Sequence, residues 1–321
     1  MRNYRKSFKS AVLFTFLSLL LSCSAQETIP AKTITASEID EDLSFLSSDA
    51  LNGRRTGSEG IENAAKFIEE RFSELGLPPY FDTYRDHFKI NEIDGFNMVA
   101  VLEGTDEKLK NEFILIGAHY DHIGTSAAID GDSIANGAND NAAGSVAVLQ
   151  LAEVLSQAKS NKRSIIFALF SGEEMGLRGS QHLAQRLQEE NLDIYTMLNL
   201  EMIGVPMKAK DYEAYVTGFE NSNLAEKFNE YSDGKKILGF LPQAKQLNLF
   251  KRSDNYPFYE QLKIPAQTIS TFDFSNYSYY HHVDDEFQFM DTEHMARLLN
   301  DLVPGIQKMA NTATKEIKLN E

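Results

Sequence analysis

Five short stretches set histidines and carboxylates beside apolar runs. The first, Gly117-Ala-His-Tyr-Asp-His122, closes the apolar run Phe113–Ile116. His119 and Asp121 are two residues apart, so on an extended chain they project to the same side. A ligating histidine and a carboxylate that holds its surroundings in place could be built this way. The second, Asn136-Gly-Ala-Asn-Asp-Asn-Ala-Ala-Gly144, puts Asp140 just before a helix. Asp140 reads either as a helix-capping carboxylate or as a ligand, although Asn139, Asp140 and Asn141 together are more polar than a cap needs. The third, Ser171-Gly-Glu-Glu-Met-Gly-Leu-Arg-Gly-Ser180, carries Glu173 and Glu174 side by side after another apolar run. Adjacent glutamates repel unless a cation or a proton intervenes. Where the chain turns, one can face a metal and the other the water on it, the pairing of ligand and general base that metal-assisted hydrolysis requires. The plainer reading is two acids favoured by a helix N-terminus. The fourth, Leu198-Asn-Leu-Glu-Met-Ile-Gly204, sets Glu201 in an apolar strand, where a carboxylate needs a metal or an arginine. The fifth, Tyr279-Tyr-His-His-Val-Asp-Asp285, supplies one more histidine. With no cysteine past residue 23, histidine and carboxylate donors suit zinc or a similar divalent ion.

These stretches fall at the ends of predicted elements. Strands are expected at His87–Ile90, Phe96–Leu102, Phe113–His119, Ser164–Phe170, Ile194–Ile203, Ala214–Thr217 and Ala266–Thr271. Helical periodicity marks Ala36–Leu46 (with Ser37 as N-cap), Glu62–Gly76, Ala143–Gln157, Gly176–Leu187, Asn223–Ser232, Ser253–Gln261 and Thr292–Ala310, with Pro304 expected to bend the last. The alternation predicts one α/β domain, a mainly parallel mixed sheet with helices on both faces. Ligand sites of such sheets lie at the C-terminal strand ends, where the first, third and fourth stretches stand. Asn52–Gly60 is a glycine-rich loop without the Gly-Lys-Ser/Thr ending that would cradle phosphate.

Composition narrows the function classes. With 321 residues, 42% of them hydrophobic, the chain can bury a sizeable core. A formal charge of −16 argues against nucleic-acid binding; it reads first as an acidic solvated surface and second as a field that favours cationic groups such as peptide amino termini. Arg2, Arg5, Lys6 and Lys9 precede the apolar stretch Ala11–Leu21, which is short for a membrane span. Leu20-Leu-Ser-Cys23 resembles a bacterial lipobox, so residues 1–22 read as a lipoprotein signal peptide, 23–35 as a tether and 36–321 as the folded domain. Cys23 would then be lipidated, the anchor its only link to a membrane, and removal of four cations takes −16 to −20. Ordinary secretion, with cleavage after Ala25, is the alternative; both export the protein. Cys23 is the only cysteine, so no intramolecular disulfide can form.

Taken together and in this order, the five stretches resemble the secreted co-catalytic zinc aminopeptidases, a family that includes bacterial leucyl aminopeptidases, aminopeptidase Y and the glutamate carboxypeptidases. The resemblance spans roughly residues 40–310. It implies two zinc ions per chain, held by His119, Asp140, Glu174, Glu201 and His281, with Asp140 bridging. Glu173 would be the general base, and Asp121 would orient His119. The implied reaction is hydrolysis of the N-terminal peptide bond of peptide substrates by a metal-activated water. Three positions depart from the family: Glu201 replaces the usual Asp, His282-Val283 replaces the common Thr-Pro after His281, and Asn255 stands where His is frequent. His87, His122, His182, His282 and His294 are expected at the surface or in structural roles. Tyr277, Tyr279 and Tyr280 read equally as pocket lining and as packing. The rival readings are a glutaminyl cyclase of the same fold and a lipid-anchored binding protein with an impaired site. A serine hydrolase is disfavoured, as no Gly-x-Ser-x-Gly is present.

Overall fold

Ile165, Phe167 and Leu169 bury on one face of a sheet while Ile166, Ala168 and Phe170 bury on the other. Their strand is therefore covered on both sides, as an unbroken apolar run requires. The structure, a computed structural model, describes residues 32–321. The predicted signal peptide, Cys23 and most of the tether lie outside the described residues. The last tether residues, Lys32–Thr35, pack on the fold: Ile34 is buried, and its backbone exchanges hydrogen bonds with the Asn300 side chain at 3.0 and 2.8 Å.

The strands are β1 (Arg85–Ile90), β2 (Ile93–Leu102), β3 (Glu112–His119), β4 (Gly124–Ile129), β5 (Asp132–Ala135), β6 (Ser164–Phe170), β7 (Asp193–Leu200), β8 (Ala214–Val216), β9 (Leu238–Gly239) and β10 (Ala266–Ser270). The helices are α1 (Ala36–Leu46), α2 (Glu59–Glu74), α3 (Ala143–Ala158), α4 (Arg178–Glu189), α5 (Leu224–Tyr231), α6 (Pro242–Gln246), α7 (Asn255–Leu262) and α8 (Thr292–Asn311). Eight strands form one mixed sheet in the order β1-β2-β6-β3-β7-β10-β8-β9. Its centre, β6-β3-β7-β10, is parallel. Helices α1, α2, α3, α5 and α8 cover one face, and α4 and α7 the other. Among the described residues no helix is long and apolar enough to cross a membrane.

Most predicted elements appear within a few residues of their expected bounds. Helix α8 runs through Pro304 to Asn311, one residue past its expected end. Two differences have physical causes. Helix α1 is capped by Thr35, not Ser37, because Thr35 and Glu38 close a reciprocal capping box. The β4–β5 hairpin was not expected, because β4 is largely exposed and lacks an apolar stripe. Its signal is Asp130-Gly131, both with positive φ, the dipeptide preferred in tight hairpin turns.

The parallel centre positions the site. His119 stands opposite Phe170 in the β3–β6 register, so His119 and the turn that follows β6 share one edge. Strand β7 ends at Leu200 on the same edge, and the Glu201 N–H donates to the Ile269 carbonyl at 3.2 Å, which carries the β7–β10 pairing one residue further.

Candidate active site

His119 is fully buried. Its Nδ1–H donates to the Asp121 backbone carbonyl at 3.1 Å, a tautomer assigned from this bond, so Nε2 presents its lone pair to the cavity. That Nε2 lies 3.4 Å from Asp140 Oδ1 and makes no hydrogen bond among the described residues. Asp140 Oδ2 faces the other way, 3.2 Å from His281 Nε2. The same His281 atom is 3.2 Å from Glu174 Oε2. Asp140 thus divides its two oxygens between two histidines from distant parts of the chain.

The loop that carries Asp140 is tied down on both sides. Three consecutive N–H groups donate to Asp285: Ala138 to its carbonyl at 2.9 Å, Asn139 to Oδ1 at 2.8 Å and Asp140 to Oδ2 at 3.0 Å. Asn139 Oδ1 accepts from the Gly204 N–H at 2.9 Å. Asn141 Oδ1 accepts from the Met202 N–H at 3.0 Å, and its Nδ2 donates to the Leu200 carbonyl at 3.0 Å. The excess polarity of this loop is therefore a fastening to the end of β7. Asp140 makes no helix cap: the side-chain bond to the first turn of α3 comes from Asn141 Oδ1, which accepts from the Gly144 N–H at 3.1 Å.

The turn after β6 is fastened by Asp121. Its carboxylate accepts from the Glu173 N–H at 3.2 Å and the Thr56 hydroxyl at 3.0 Å, while Thr56 Oγ1 accepts from the Gly172 N–H at 2.9 Å. The Asp121 carboxylate is 3.8 Å from His119 Nδ1, so its backbone carbonyl, rather than its carboxylate, is what holds the ring. Burial pushes Asp121 up to about 6.

Beneath both loops lies Arg54, fully buried. It donates to the carbonyls of Tyr120 (2.9 Å), Asn136 (2.6 Å), Gly137 (3.1 Å) and Leu46. Burial lowers it to about 10, against the pull of Asp285, Asp121 and Asp140. The glycine-rich loop thus supports the site through Arg54 and Thr56. Nothing in the local sequence marks Arg54 as internal, since its partners lie up to 83 residues away.

His122, expected at the surface or in a structural role, is not at the surface. It is fully buried, with Nδ1 2.9 Å from Glu174 Oε1 and 3.8 Å from Asp140 Oδ2. Donor atoms of His122, Asp140 and Glu174 lie close enough together to hold a cation. Gly137 makes room for this ring: its φ is +58°, and a Cβ there would stand 2.6 Å from His122.

The electrostatics point the same way. Burial raises Glu173, and the nearby carboxylates Glu201, Asp254 and Glu174 raise it further. Glu201, which accepts from the Ser253 hydroxyl, is pushed up to about 7 by burial. Asp254, one residue on, is likewise pushed up to about 7 by burial. His281 rises to about 10 through its hydrogen bonds to Asp140 and Glu174. Burial opposes a charge on His119, but Glu173 and Asp140 outweigh it and raise its pKa. Asp140 and Glu174 are instead held below the usual carboxylate range, despite burial, by hydrogen bonds to the histidines, so the cluster sets carboxylates against one another around histidine donors, an arrangement that a bound cation would relieve. The donor set fits a divalent ion: two donors on one tetrahedral zinc lie roughly 3.3 Å apart, given metal bonds of about 2.0–2.1 Å, and the His119, Asp140, Glu174 and His281 pairs stand at 3.2–3.4 Å.

A pocket opens on this cluster. Asp140, Glu173, Glu201 and His281 form one end, and Met202, Phe272 and Tyr280 an apolar wall. Tyr280 stacks on His281 with ring centroids 4.0 Å apart. Tyr277 instead donates to Asp285 at 2.6 Å, and Tyr279 packs on Phe289.

Residues 97–303 match the family described as peptidase family M28. The chain belongs to peptidase family M28. Leupeptin-inactivating enzyme 1 of Streptomyces exfoliatus is 28% identical over 230 residues, 70% of this chain and 47% of that protein. The chain spans about a quarter to half the length of the first curated relatives it matches. The LapA aminopeptidase of Legionella pneumophila superposes with a TM-score of 0.67 at 23% identity, over 88% of this chain and 73% of that one. The glutaminyl cyclase of Porphyromonas gingivalis superposes with a TM-score of 0.68 at 15% identity, over 87% of this chain and all of that one. These likenesses establish the M28 fold.

Within the M28 fold, His119, Asp140, Glu173, Glu174, Glu201 and His281 converge on one sheet edge. His282 turns away, its Nδ1 3.4 Å from Asp284. Asn255 is buried behind the pocket, bonded to Thr268 and to the carbonyls of Phe250 and Ala266, so it is a structural residue here. His87 is exposed, His182 bonds Asp86 at 3.2 Å, and His294 is buried in α8.

Proposed function

We propose that this chain is a zinc-dependent exopeptidase that removes the N-terminal residue of peptides. The observation that carries the reading is Asp140, whose two oxygens face His119 on one side and His281 on the other. His119, Asp140 and Glu201 would hold one zinc, and Asp140, Glu174 and His281 a second, with His122 steadying Glu174 from behind. Bound zinc would supply Lewis acidity, lowering the pKa of a water and polarising the scissile carbonyl.

The remaining steps belong to the chain. Glu173, fixed through its backbone N–H by Asp121, takes a proton from the water on a carboxylate oxygen and passes it to the leaving amine nitrogen. Beside the positive charge of bound zinc, Glu173 would have its proton affinity lowered and stay ionised, the form that can accept that proton. The carboxylates at one end of the cavity draw the amino terminus of a peptide, and the apolar wall of Met202, Phe272 and Tyr280 receives the adjoining side chain. Glu201 is one methylene longer than the family's usual Asp, and the Ser253 hydroxyl bond supports the reading that it still serves as a ligand.

The test uses the full chain and its Glu173→Gln variant, assayed for zinc content and for cleavage of unblocked and N-acetylated peptides. We expect nearly two zincs per chain and cleavage of unblocked peptides only, with turnover in the variant reduced by about 10²–10⁴-fold and its zinc retained. One zinc with ammonia release from N-terminal glutamine would assign the cyclase instead. No zinc and no turnover would favour the binding protein with an impaired site.

A further inference from the structure

The cavity has a second charged feature that the proposed reaction leaves unused. Arg252 lines it, the one arginine or lysine among lining residues that otherwise include three carboxylates. Its guanidinium makes no ion pair or hydrogen bond among the described residues, although the chain carries 47 acidic residues against 31 basic ones. Its position is nevertheless tied to the site. The backbone N–H of Arg252 donates to the Leu249 carbonyl at 3.0 Å, and the next residue, Ser253, bonds Glu201. Thr217 lines the same cavity; its hydroxyl oxygen accepts from the Thr268 N–H at 3.2 Å, and its own proton has no acceptor among the described residues. A planar cation and a free hydroxyl donor beside an apolar wall are the complement of a carboxylate on a short aliphatic stem.

We propose that Arg252 makes this a carboxylate-binding pocket, so that the preferred substrates are peptides that place a carboxylate there. This rests on the exopeptidase reading above. Two sources can supply the group: the side chain of an N-terminal Glu or Asp, or the C-terminal carboxylate of a dipeptide. With its amino terminus among the carboxylates, the substrate lies between opposite charges, and the acidic character of the chain does not exclude it.

The test compares Glu-Ala-Ala-amide with Gln-Ala-Ala-amide, which differ in charge and hardly in shape, and Leu-Ala with Leu-Ala-amide, on the zinc-loaded full chain. Arg252 is solvent-reachable, so the discrimination expected is about tenfold, near the low end for a hydrogen bond to a charged group. It should lie in KM. A side-chain carboxylate gives the preference in the first pair, and a C-terminal carboxylate gives it in the second. Arg252→Gln should bring the preferred ratio to near one, Arg252→Lys should restore part of it, and Arg252→Glu should favour Lys-Ala-Ala-amide over Glu-Ala-Ala-amide. Wild-type ratios near one in both pairs, or a ratio unchanged in Arg252→Gln, would overturn the proposal.

Calorimetric binding of Glu-amide, Gln-amide, Leu-Ala and Leu-Ala-amide to the zinc-loaded Glu173→Gln chain, in which turnover is suppressed, gives the same comparison without hydrolysis. Absent hydrolysis by the wild type, with about tenfold tighter binding of either carboxylate-bearing ligand that is lost on adding Arg252→Gln, would fault the exopeptidase reading and keep the carboxylate pocket. Equal binding would remove the pocket.

Discussion

Replacing Asp285 by Asn should loosen the loop that presents Asp140, without touching Asp140 itself. Asp285 Oδ1 accepts from the Asn139 N–H at 2.8 Å and the Tyr277 hydroxyl at 2.6 Å, and Oδ2 accepts from the Asp140 N–H at 3.0 Å. An asparagine keeps one acceptor oxygen. In either orientation its NH2 faces a backbone N–H, and Asp285 is fully buried, so water cannot replace the lost acceptor. A buried donor left unpaired costs about 1–3 kcal/mol. Loss of the negative charge also removes an attraction to the buried Arg54 guanidinium, which works against any relief of repulsion with Asp140. The expected cost is about 2 kcal/mol, or a Tm lower by roughly 3 °C at this chain size. Because the Asp140 backbone is what shifts, zinc affinity should fall about 10–100-fold. Thermal unfolding in chelator reports the first effect, and competition with a chromophoric chelator the second. Tyr277→Phe is the control: it removes one hydroxyl donor and leaves both backbone bonds, so it should cost about 1 kcal/mol with affinity little changed. An Asp285→Asn chain that melts within 1 °C of wild type and holds zinc as tightly would refute the claim that Asp285 anchors the loop.

Two further predictions concern other parts of the chain. His294 is buried in α8 and burial pushes its pKa from 6.5 to about 4, so protons favour the unfolded state. The stability of the neutral form is full above about pH 6.5 and is lost as pH falls towards 4; at pH 5 the loss is about 2 kcal/mol. His294→Leu should lack that increment, so the drop in urea midpoint between pH 8 and pH 5 should be smaller in the variant, and equal drops would refute the assignment. For Cys23, we propose export and lipidation on the pattern of Leu20–Cys23. Mass spectrometry of the mature N-terminus should find a lipid-modified Cys23, and Cys23→Ser should release the chain from membrane fractions; an unmodified N-terminus at Gln26 would favour ordinary secretion.

What the sequence made legible, and what it hid, follow from how far apart the partners lie. The apolar run Ser164–Phe170 announces a strand buried on both faces because every residue in it must be covered. Parallel strands then bring His119, the Glu173-Glu174 turn and Glu201 to one edge by register alone, and a local reading can reach that far. The fastenings could not be read in the same way. Arg54 looks like a surface charge in its own neighbourhood, and Asp285, although it closes the fifth stretch, carries no local sign of the loop it holds. Arg54 reaches carbonyls at positions 46, 120, 136 and 137, and Asp285 reaches amides at 138–140.

His122 was hidden for a different reason. It stands inside the most informative stretch of the chain, but as a polar side chain with no second motif around it the default expectation is a surface or structural place. Strand β3 ends at His119. Beyond the last ladder residue the backbone turns, the period of two no longer applies, and His122 swings in towards Glu174. The same logic bears on Glu201. It lies one residue past the end of β7, where its backbone N–H still pairs with β10 but its side chain is free of the pleat. A carboxylate on the last pleated position would have its reach dictated by the sheet. One residue further on, an extra methylene can be absorbed by a turn of the side chain, and the Ser253 hydroxyl then fixes where it stops. Chemistry sits just past the strand ends because there the sheet still positions the backbone and no longer dictates the side chain, so a one-methylene substitution at Glu201 is compatible with the same donor set.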